Sequence, residues 1–374
     1  MAPLLTRLDE QLATCADPQR RAELVAERGC YLARVGDFEA ARAATELARA
    51  GDGGGANPRI SAWVMLLEGL VFHFERDGRS ARGRVSRAHA LSIAARQHSL
   101  AALTAAWLAQ IKHDDGDHFP AADLIRLAID LVGPEDRSTH IRVGLFMGDA
   151  HSALGDKDPA RHWYEAARMQ ASRIGDEAAL GAIMARRSTL QLNRMQTLAM
   201  LDDGYTVPAA DLDFASLELE SARHYLAATG ITSMDFALQV GRARALILGG
   251  RFDAAQALLQ ALLDGAELAH GCRSRPRLAA DLAWCRFRQG SSATSLPGDD
   301  VPDAFDAMDA DDRLVCARRW QDILSAQGQL DSAQRWTQRA ADAAARLLEQ
   351  QAALRRTLDA IAGHCASRSY PPSH

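Results

Sequence analysis

The stretch ARVGDFEAA, residues Ala33–Ala41, contains the feature that decides the fold, a tight glycine turn between two alanine-rich segments. Four further stretches fit the same frame: KHDDGDHFPA (Lys112–Ala121), SALGDKDPA (Ser152–Ala160), LGGRFDAA (Leu248–Ala255) and SAQGQLDSA (Ser325–Ala333). The turn residues are Gly36, Gly116, Gly155, Gly250 and Gly328, with Arg76 and Gly290 in two weaker copies. Where copies adjoin, the turns are 38 to 40 residues apart. Such a recurrence predicts an array of structural repeats.

Small residues recur at fixed distances from each turn. Seven positions before the turn, most copies have Gly29, Gly69, Ala109, Gly148, Ala243 or Ala283. Alanines follow five and twelve positions after it: Ala41, Ala81, Ala121, Ala160, Ala255 and Ala333, then Ala48, Ala88, Ala128, Ala167 and Ala340. Small side chains let two antiparallel helices approach closely on either side of a turn. Each repeat is therefore predicted to be a helical hairpin.

The apolar residues around the turns follow a helical period. Leu103, Trp107, Leu108 and Ile111 precede Gly116 at the spacing of one helix face, and alternating strand patterns do not occur. We therefore predict an all-α fold, an α-solenoid of about seven to eight helical hairpins followed by a long C-terminal helix.

This pattern resembles the tetratricopeptide repeat over roughly Ala22 to Ala345. The copies here are longer than the usual period of about 34 residues. The segment Ala237–Glu267 is similar to the repeat regions of MalT-like, LuxR-type bacterial regulators, and LLEQQAALRRTLDAIA resembles the connecting helix of repeat-containing diguanylate cyclases. The resemblance implies a stacked-hairpin fold. The sequence contains no cyclase motif and no helix-turn-helix, so those output activities do not carry over.

The repeat frame predicts a division of the chain into five segments. They are an N-terminal capping helix at 1–21, repeats at 22–195, a degenerate repeat or loop at 196–232, repeats at 233–345 with a loop at 290–310, and a C-terminal helix extension with a disordered tail at 346–374.

Composition and motifs argue against several functions. A net charge of -5 without a basic run argues against nucleic acid and anionic membrane surfaces as partners. No apolar stretch approaches the ~20 residues that cross a bilayer, so we expect a cytoplasmic protein. None of the common nucleophile, zinc-protease, P-loop or dinucleotide motifs occurs. The sequence favours a protein that is not an enzyme and has no cofactor. The glycine-rich GDGGGANP, Gly51–Pro58, lacks the lysine of a phosphate-binding loop.

The stretch KHDDGDHFP, Lys112–Pro120, raises the question of a metal site. In the repeat frame Gly116 and Asp117 form the turn, and the neighbouring aspartates lie at helix ends, where they satisfy backbone groups. His113 and His118 belong to different helices, which predicts that they diverge. We therefore predict no metal site.

In stacked hairpins the first helix of each pair lines the concave face. Positions thirteen, ten, six and three residues before the turn share that face. The candidate peptide- or protein-binding residues at these positions are Trp63, His73, Gln110, His113, Arg142, Asp149, Arg244, Arg277, Trp284, Arg318 and Asp322. Arginine pairs with carboxylates, and tryptophan contributes buried area at interfaces. The alternative is that several of them pack between neighbouring repeats.

The C-terminal segment Asp331–Ala362 has neither glycine nor proline and predicts one long helix. Ala340, Ala344, Leu347, Gln351, Leu354, Leu358 and Ile361 form an apolar seam along it. The helix either covers the last repeat or forms a homodimer, and both alternatives stay open at this point.

The sequence as a whole favours a repeat scaffold that binds a protein or peptide partner through its concave groove in bacterial regulation or signalling. The alternative is a sensory receptor for a small molecule or signalling peptide that changes the shape of the superhelix on binding. An enzyme is the third and least favoured reading.

Overall fold

A computed structural model of the chain describes residues 3–51, 57–75, 77–114, 116–265, 274–290, 303–306, 308–368 and 370. Within these ranges the protein is all-helical and contains no strand. The predicted all-α class is confirmed. In the same ranges no helix is both long enough and apolar enough to cross a membrane. Most of the glycine-rich stretch after Gly51, most of the predicted loop at 290–310 and Cys272 lie outside the described residues.

The helices follow one another with short connections. Their bounds are α1 Leu4–Thr14, α2 Pro18–Val35, α3 Phe38–Gly51, α4 Pro58–Phe74, α5 Gly78–Ala94, α6 His98–Asp114, α7 His118–Leu131, α8 Arg137–Leu154, α9 Lys157–Ile174, α10 Glu177–Leu201, α11 Ala209–Thr229, α12 Asp235–Leu248, α13 Phe252–Asp264, α14 Arg275–Arg288, α15 Asp303–Asp306, α16 Ala310–Ala326 and α17 Leu330–Arg368. The helices α10 and α11 extend into the region 196–232.

The predicted turns are confirmed at every turn glycine of the repeat frame. Their φ angles are all positive, at Gly36, Gly116, Gly155, Gly250, Gly290 and Gly328. This left-handed conformation is accessible to glycine without strain and ends the preceding helix. At two turns the following aspartate caps the next helix, since Asp37 Oδ1 accepts from the amide of Ala40 at 3.0 Å and Asp77 Oδ1 from the amide of Ser80 at 3.0 Å, whereas Asp117 and Asp156 make no such bond. Arg76 lies outside the described residues.

The small residues of the frame lie where two helices approach most closely. A Cβ atom added at Gly29 would come within 2.6 Å of Leu67, and one at Gly148 within 2.6 Å of the Tyr164 ring. The alanines five and twelve positions after the turns are buried in every copy that was predicted to have them. Close helix packing therefore explains the recurrence of these residues, as the sequence predicted.

The chain divides into two compact units that interleave along the sequence. Unit 1 comprises residues 1–186, 224–234 and 353–374, and unit 2 comprises residues 187–223 and 235–352. In unit 1, the pairs α2 and α3, α4 and α5, α6 and α7, and α8 and α9 form hairpins, and α2, α4, α6 and α8 also contact one another in that order.

In unit 2, one apolar core joins α12, α13, α14, α16 and the first part of α17. It contains Trp284, Trp320 and Trp336, all of them buried.

The predicted seam of α17 is used inside the chain. Ala340 and Leu347 belong to the core of unit 2, and Leu354, Leu358 and Ile361 are buried in a core of unit 1 beside α6, α7 and α8. Beyond α17, the Tyr370 hydroxyl lies 2.9 Å from Nδ1 of His140 in unit 1. The last part of α17 thus covers apolar surface of α6, α7 and α8 and not of the last predicted repeat, which neither alternative predicted.

Candidate ligand-binding site

Two small pockets in unit 1 adjoin each other and share three lining residues. The arginine pocket has a volume of about 20 Å³ and is lined by Arg34, His73, Phe74, Trp107, Gln110, Arg142, Leu145, Ala178, Ala182, Arg186 and Met234. The leucine pocket has a volume of about 40 Å³ and is lined by Leu4, Leu8, Glu27, Cys30, Tyr31, Arg34, Trp63, Leu66, Leu70, Leu103, Trp107, Ser138, Arg142 and Asp176. The side chains of Arg34, Trp107 and Arg142 belong to both pockets.

Two of the three arginines that line the arginine pocket, Arg34 and Arg186, each form an ion pair with a buried carboxylate. Arg34 pairs with Asp176, a residue that is 1% exposed and that also caps α10 by accepting from the amide of Ala179 at 2.9 Å. Ser233 in turn donates its hydroxyl to the backbone carbonyl of Arg34 at 2.6 Å. These contacts fix the direction of the Arg34 guanidinium at the edge of the arginine pocket.

Arg186 belongs to a second buried network. Its Nε donates to Asp149 Oδ2 at 2.5 Å, and the Tyr164 hydroxyl donates to Asp149 Oδ1 at 2.8 Å. Another nitrogen of Arg186 lies 3.3 Å from Asp114, which also accepts from the Gln110 amide at 2.8 Å. Burial opposes the charge on Arg186, but the two carboxylates outweigh it and raise the pKa of the guanidinium. Burial raises the pKa of the Asp149 carboxyl.

Arg142 differs from the other two arginines because no carboxylate of the described residues pairs with it. Its guanidinium carbon lies 4.1 Å from the centroid of the Trp107 ring, a cation–π distance. The side chain keeps only a small accessible surface, which faces the two pockets. Burial, and then the positive charge of Arg34 and Arg186, lower the pKa of Arg142 well below its usual range. A half-buried cation that pairs with no carboxylate is costly, so its presence requires an explanation.

The arginine pocket presents hydrogen-bond donors and no carboxylate. Three guanidinium groups, the Gln110 amide and the His73 ring line it together with apolar side chains. A guanidinium only donates hydrogen bonds and binds planar carboxylates through two parallel bonds. The arrangement is therefore suited to an anionic group.

The leucine pocket has a different character. Trp63, Leu66, Leu70 and Leu103 form much of its wall. Its carboxylates are Asp176, which already pairs with Arg34, and Glu27, whose pKa is raised by burial. A space of this size accommodates a few water molecules or a small apolar group.

The predicted groove residues of unit 1 divide between the pockets and their surroundings. Trp63 lines the leucine pocket, while His73, Gln110 and Arg142 line the arginine pocket. Asp149 lies behind it and is 1% exposed.

His113 packs its ring against Phe146, with the centroids 5.3 Å apart. The predicted divergence of His113 and His118 is wrong. The hairpin brings their rings together, with the Nδ1 atoms 3.2 Å apart, because a left-handed glycine turn folds α7 directly back on α6. Burial lowers the pKa of both rings, that of His118 to about 4. Among the residues that the structure describes, no three histidine, cysteine or acidic side chains group as metal ligands.

The predicted groove residues of unit 2 take part in an ionic and aromatic core. Arg244 and Arg277 both bind Asp312, at 3.2 Å and 2.8 Å, and Arg277 also binds Asp281 at 2.9 Å. Arg277 is 1% exposed. These residues therefore hold α12, α14 and α16 together.

Of the other three unit 2 candidates, Trp284 and Arg318 contact neighbouring side chains or backbone. Trp284 packs under the Arg319 guanidinium at 4.4 Å. Arg318 donates to the Met200 carbonyl at 3.1 Å, and burial raises the pKa of Asp322.

Sequence reasoning missed four residues that shape the arginine pocket. Arg34 is two residues before its turn, outside the four offsets assigned to the concave face, and Trp107 was assigned only to the apolar face of its helix. Arg186 and Asp176 belong to or cap α10, which no turn glycine of the repeat frame marks. The signal available for Arg34 was its position beside the turn, on the last turn of a first helix.

Comparisons with known proteins do not assign the chain to a family. The chain matches none of the known protein families, and no curated protein is similar to it. The resemblance to tetratricopeptide repeats stays a prediction that depends on the turn and packing residues.

Proposed function

We propose that the chain is a non-enzymatic helical-repeat protein of the tetratricopeptide type, whose hairpins stack as an α-solenoid within unit 1. It binds a protein or peptide partner through the inner face of the first helices. The observation that supports this proposal is the convergence of Trp63, His73, Gln110 and Arg142, from three successive hairpins, on two adjoining pockets. The repeat frame places these four residues on the same face of successive first helices.

The partner supplies the output in this proposal, since the chain contains no recognised output motif. Its setting is bacterial cytoplasmic regulation or signalling. A homodimer through α17 is a further possibility that the burial of the seam makes less favourable.

A second candidate function is a receptor for a small molecule or short signalling peptide. The small volume of both pockets favours this candidate, because an extended peptide needs an open groove. Small-angle scattering with and without ligand measures the change in pitch that such a receptor requires.

Site-specific photo-crosslinking tests the proposed partner binding. Replacing Trp63 with p-benzoylphenylalanine keeps an aromatic group in the pocket, and the same replacement of Leu47, which is 66% exposed, serves as the control. We expect crosslinks to a defined partner, in an extract of the source cells, from position 63 and not from position 47. Equal crosslinking from both positions, or none from position 63, contradicts binding through the inner face.

A further inference from the structure

The uncompensated charge of Arg142 points to the chemistry of the ligand. Arg34 and Arg186 each have a carboxylate of their own, Asp176 and Asp149, whereas Arg142 has only the face of Trp107. All three guanidiniums border one pocket whose lining includes no carboxylate. Arg142 is thus the guanidinium of this pocket that pairs with no carboxylate of the described residues, and a ligand can supply one.

We propose that the arginine pocket binds the carboxylate of a short apolar acid, with Arg142 as the residue that pairs with it and the leucine pocket as the place for the apolar group. The inference rests on the second candidate function, a receptor for a small molecule or short peptide, and names the class of ligand for the same site. The carboxylate replaces the missing partner of Arg142, and Arg34, Gln110 and His73 border the same space.

The charge balance favours a carboxylate over a phosphate. One unpaired guanidinium matches a single negative charge, while a phosphate dianion would require a second free cation. A guanidinium stacked on an aromatic ring leaves its edge free, and that edge matches a planar carboxylate. The volume of about 20 Å³ also favours the smaller group.

The adjoining leucine pocket determines what the carboxylate is attached to. Arg142 also lines the leucine pocket, where Leu66, Leu70, Leu103 and Trp63 offer apolar contacts. Asp176 and Glu27 border that pocket, so an anion is disfavoured there and the ligand has a defined orientation. The acid is either a free monocarboxylate or the C-terminal residue of a short peptide, which have the same chemistry.

Calorimetry with a panel of acids tests the proposal on the full-length chain. The probes are butyrate, hexanoate, N-acetyl-leucine and an acetylated dipeptide ending in leucine, together with hexanamide, the C-terminally amidated dipeptide and inorganic phosphate. We expect at least one acid to bind with a dissociation constant below about 1 mM. The matching amide should bind at least about 10-fold more weakly, because the charge-assisted hydrogen bonds are lost.

Variants then assign the binding to Arg142. Arg142→Gln should weaken acid binding at least about 10-fold, and Arg142→Lys should weaken it less, because lysine keeps the charge but loses the planar fork. Arg87→Gln, on the exposed face of α5, is the control and should bind as the wild type does. Helix content measured by circular dichroism shows whether each variant is folded.

Each outcome supports or overturns the proposal. Binding of free acids supports a metabolite as the source, whereas binding of the dipeptide acid alone supports a peptide C-terminus. Absence of binding by every acid, equal binding of acid and amide, stronger binding of phosphate, or unchanged binding by Arg142→Gln overturns it. The crosslinking experiment at position 63 remains independent, because a partner can bind the inner face even if no acid occupies the arginine pocket.

Discussion

The substitution Arg142→Gln separates a ligand-binding role from a structural one. An arginine with a structural role stabilises the folded chain. An arginine that serves only to bind a ligand leaves the free energy of unfolding unchanged, or lowers it, when no ligand is present. The substitution removes the cation–π contact with Trp107, which is worth about 0.5–2 kcal/mol. It also removes a half-buried cation that pairs with no carboxylate, which relieves a desolvation penalty of similar size. We therefore expect the free energy of unfolding to change by no more than about 1 kcal/mol, in either direction.

Arg186→Gln is the matched comparison in the same pocket. It leaves Asp149, which is 1% exposed, without its ion-pair partner. Breaking one partner of a buried pair costs about 3–5 kcal/mol. Because the Arg186 side chain is 25% exposed and Tyr164 still donates to Asp149, we expect about 3 kcal/mol, the lower end of that range.

Urea denaturation followed by circular dichroism measures both variants. The unfolding transition whose midpoint Arg186→Gln shifts to lower urea concentration reports on unit 1. The midpoint for Arg142→Gln is measured in the same transition. The reasoning is refuted if Arg142→Gln lowers the midpoint as far as Arg186→Gln does, because Arg142 would then be needed for the fold.

The remaining predictions concern packing and pH. Gly148→Ala should destabilise the chain by about 1–3 kcal/mol, because the new Cβ would lie 2.6 Å from an aromatic ring. Gly363→Ala should stabilise α17 slightly, because the new Cβ would have nothing within 4 Å. Thermal denaturation measures both changes. Leu358→Ala should cost about 2–5 kcal/mol in urea denaturation with no dependence on protein concentration, while Leu348→Ala, at a residue 55% exposed, should cost little, and the reverse order would contradict the capping role. Burial lowers the pKa of His118 to about 4, so the unfolded chain binds more protons between about pH 6.5 and 4. Stability should therefore fall as the pH is lowered through that window, and His118→Gln should flatten the fall, with an unchanged pH profile as the contrary result.

The helical hairpins could be predicted because the residues that form them are local and have few substitutes. A left-handed turn favours glycine, and a close crossing of two helices admits only small side chains, so Gly36 and Gly148 carry their structural reason in their identity. The recurrence of both features at fixed offsets then fixed the register of each hairpin. The all-α class followed from the same residues.

The arginine pocket could be predicted only in part. Four residues in or next to it were predicted, namely His73, Gln110, Arg142 and Asp149, because spacing along the sequence identifies residues that share a helix face. Spacing does not show whether a guanidinium pairs with a carboxylate. Arg34 pairs with Asp176, 142 residues away, and Arg186 lies 37 residues from Asp149. Such pairings depend on how successive hairpins pack, which spacing within one repeat does not determine.

The approach of the two histidines was missed for a similar reason. His113 and His118 leave the turn on different helices, and helix direction alone suggests that they separate. The two helices are antiparallel neighbours, however, so residues on either side of the turn face each other across the hairpin. The distance of 3.2 Å between the Nδ1 atoms of His113 and His118 shows this.

The most direct test of a carboxylate site built around Arg142 is a crystal structure of the chain grown with the tightest-binding acid of the panel. We expect two hydrogen bonds of about 2.8 Å between the carboxylate and the Arg142 guanidinium, with the apolar group against Leu66 and Leu70. An acid bound elsewhere, or an Arg142 guanidinium paired with a carboxylate of the chain itself, would contradict the account.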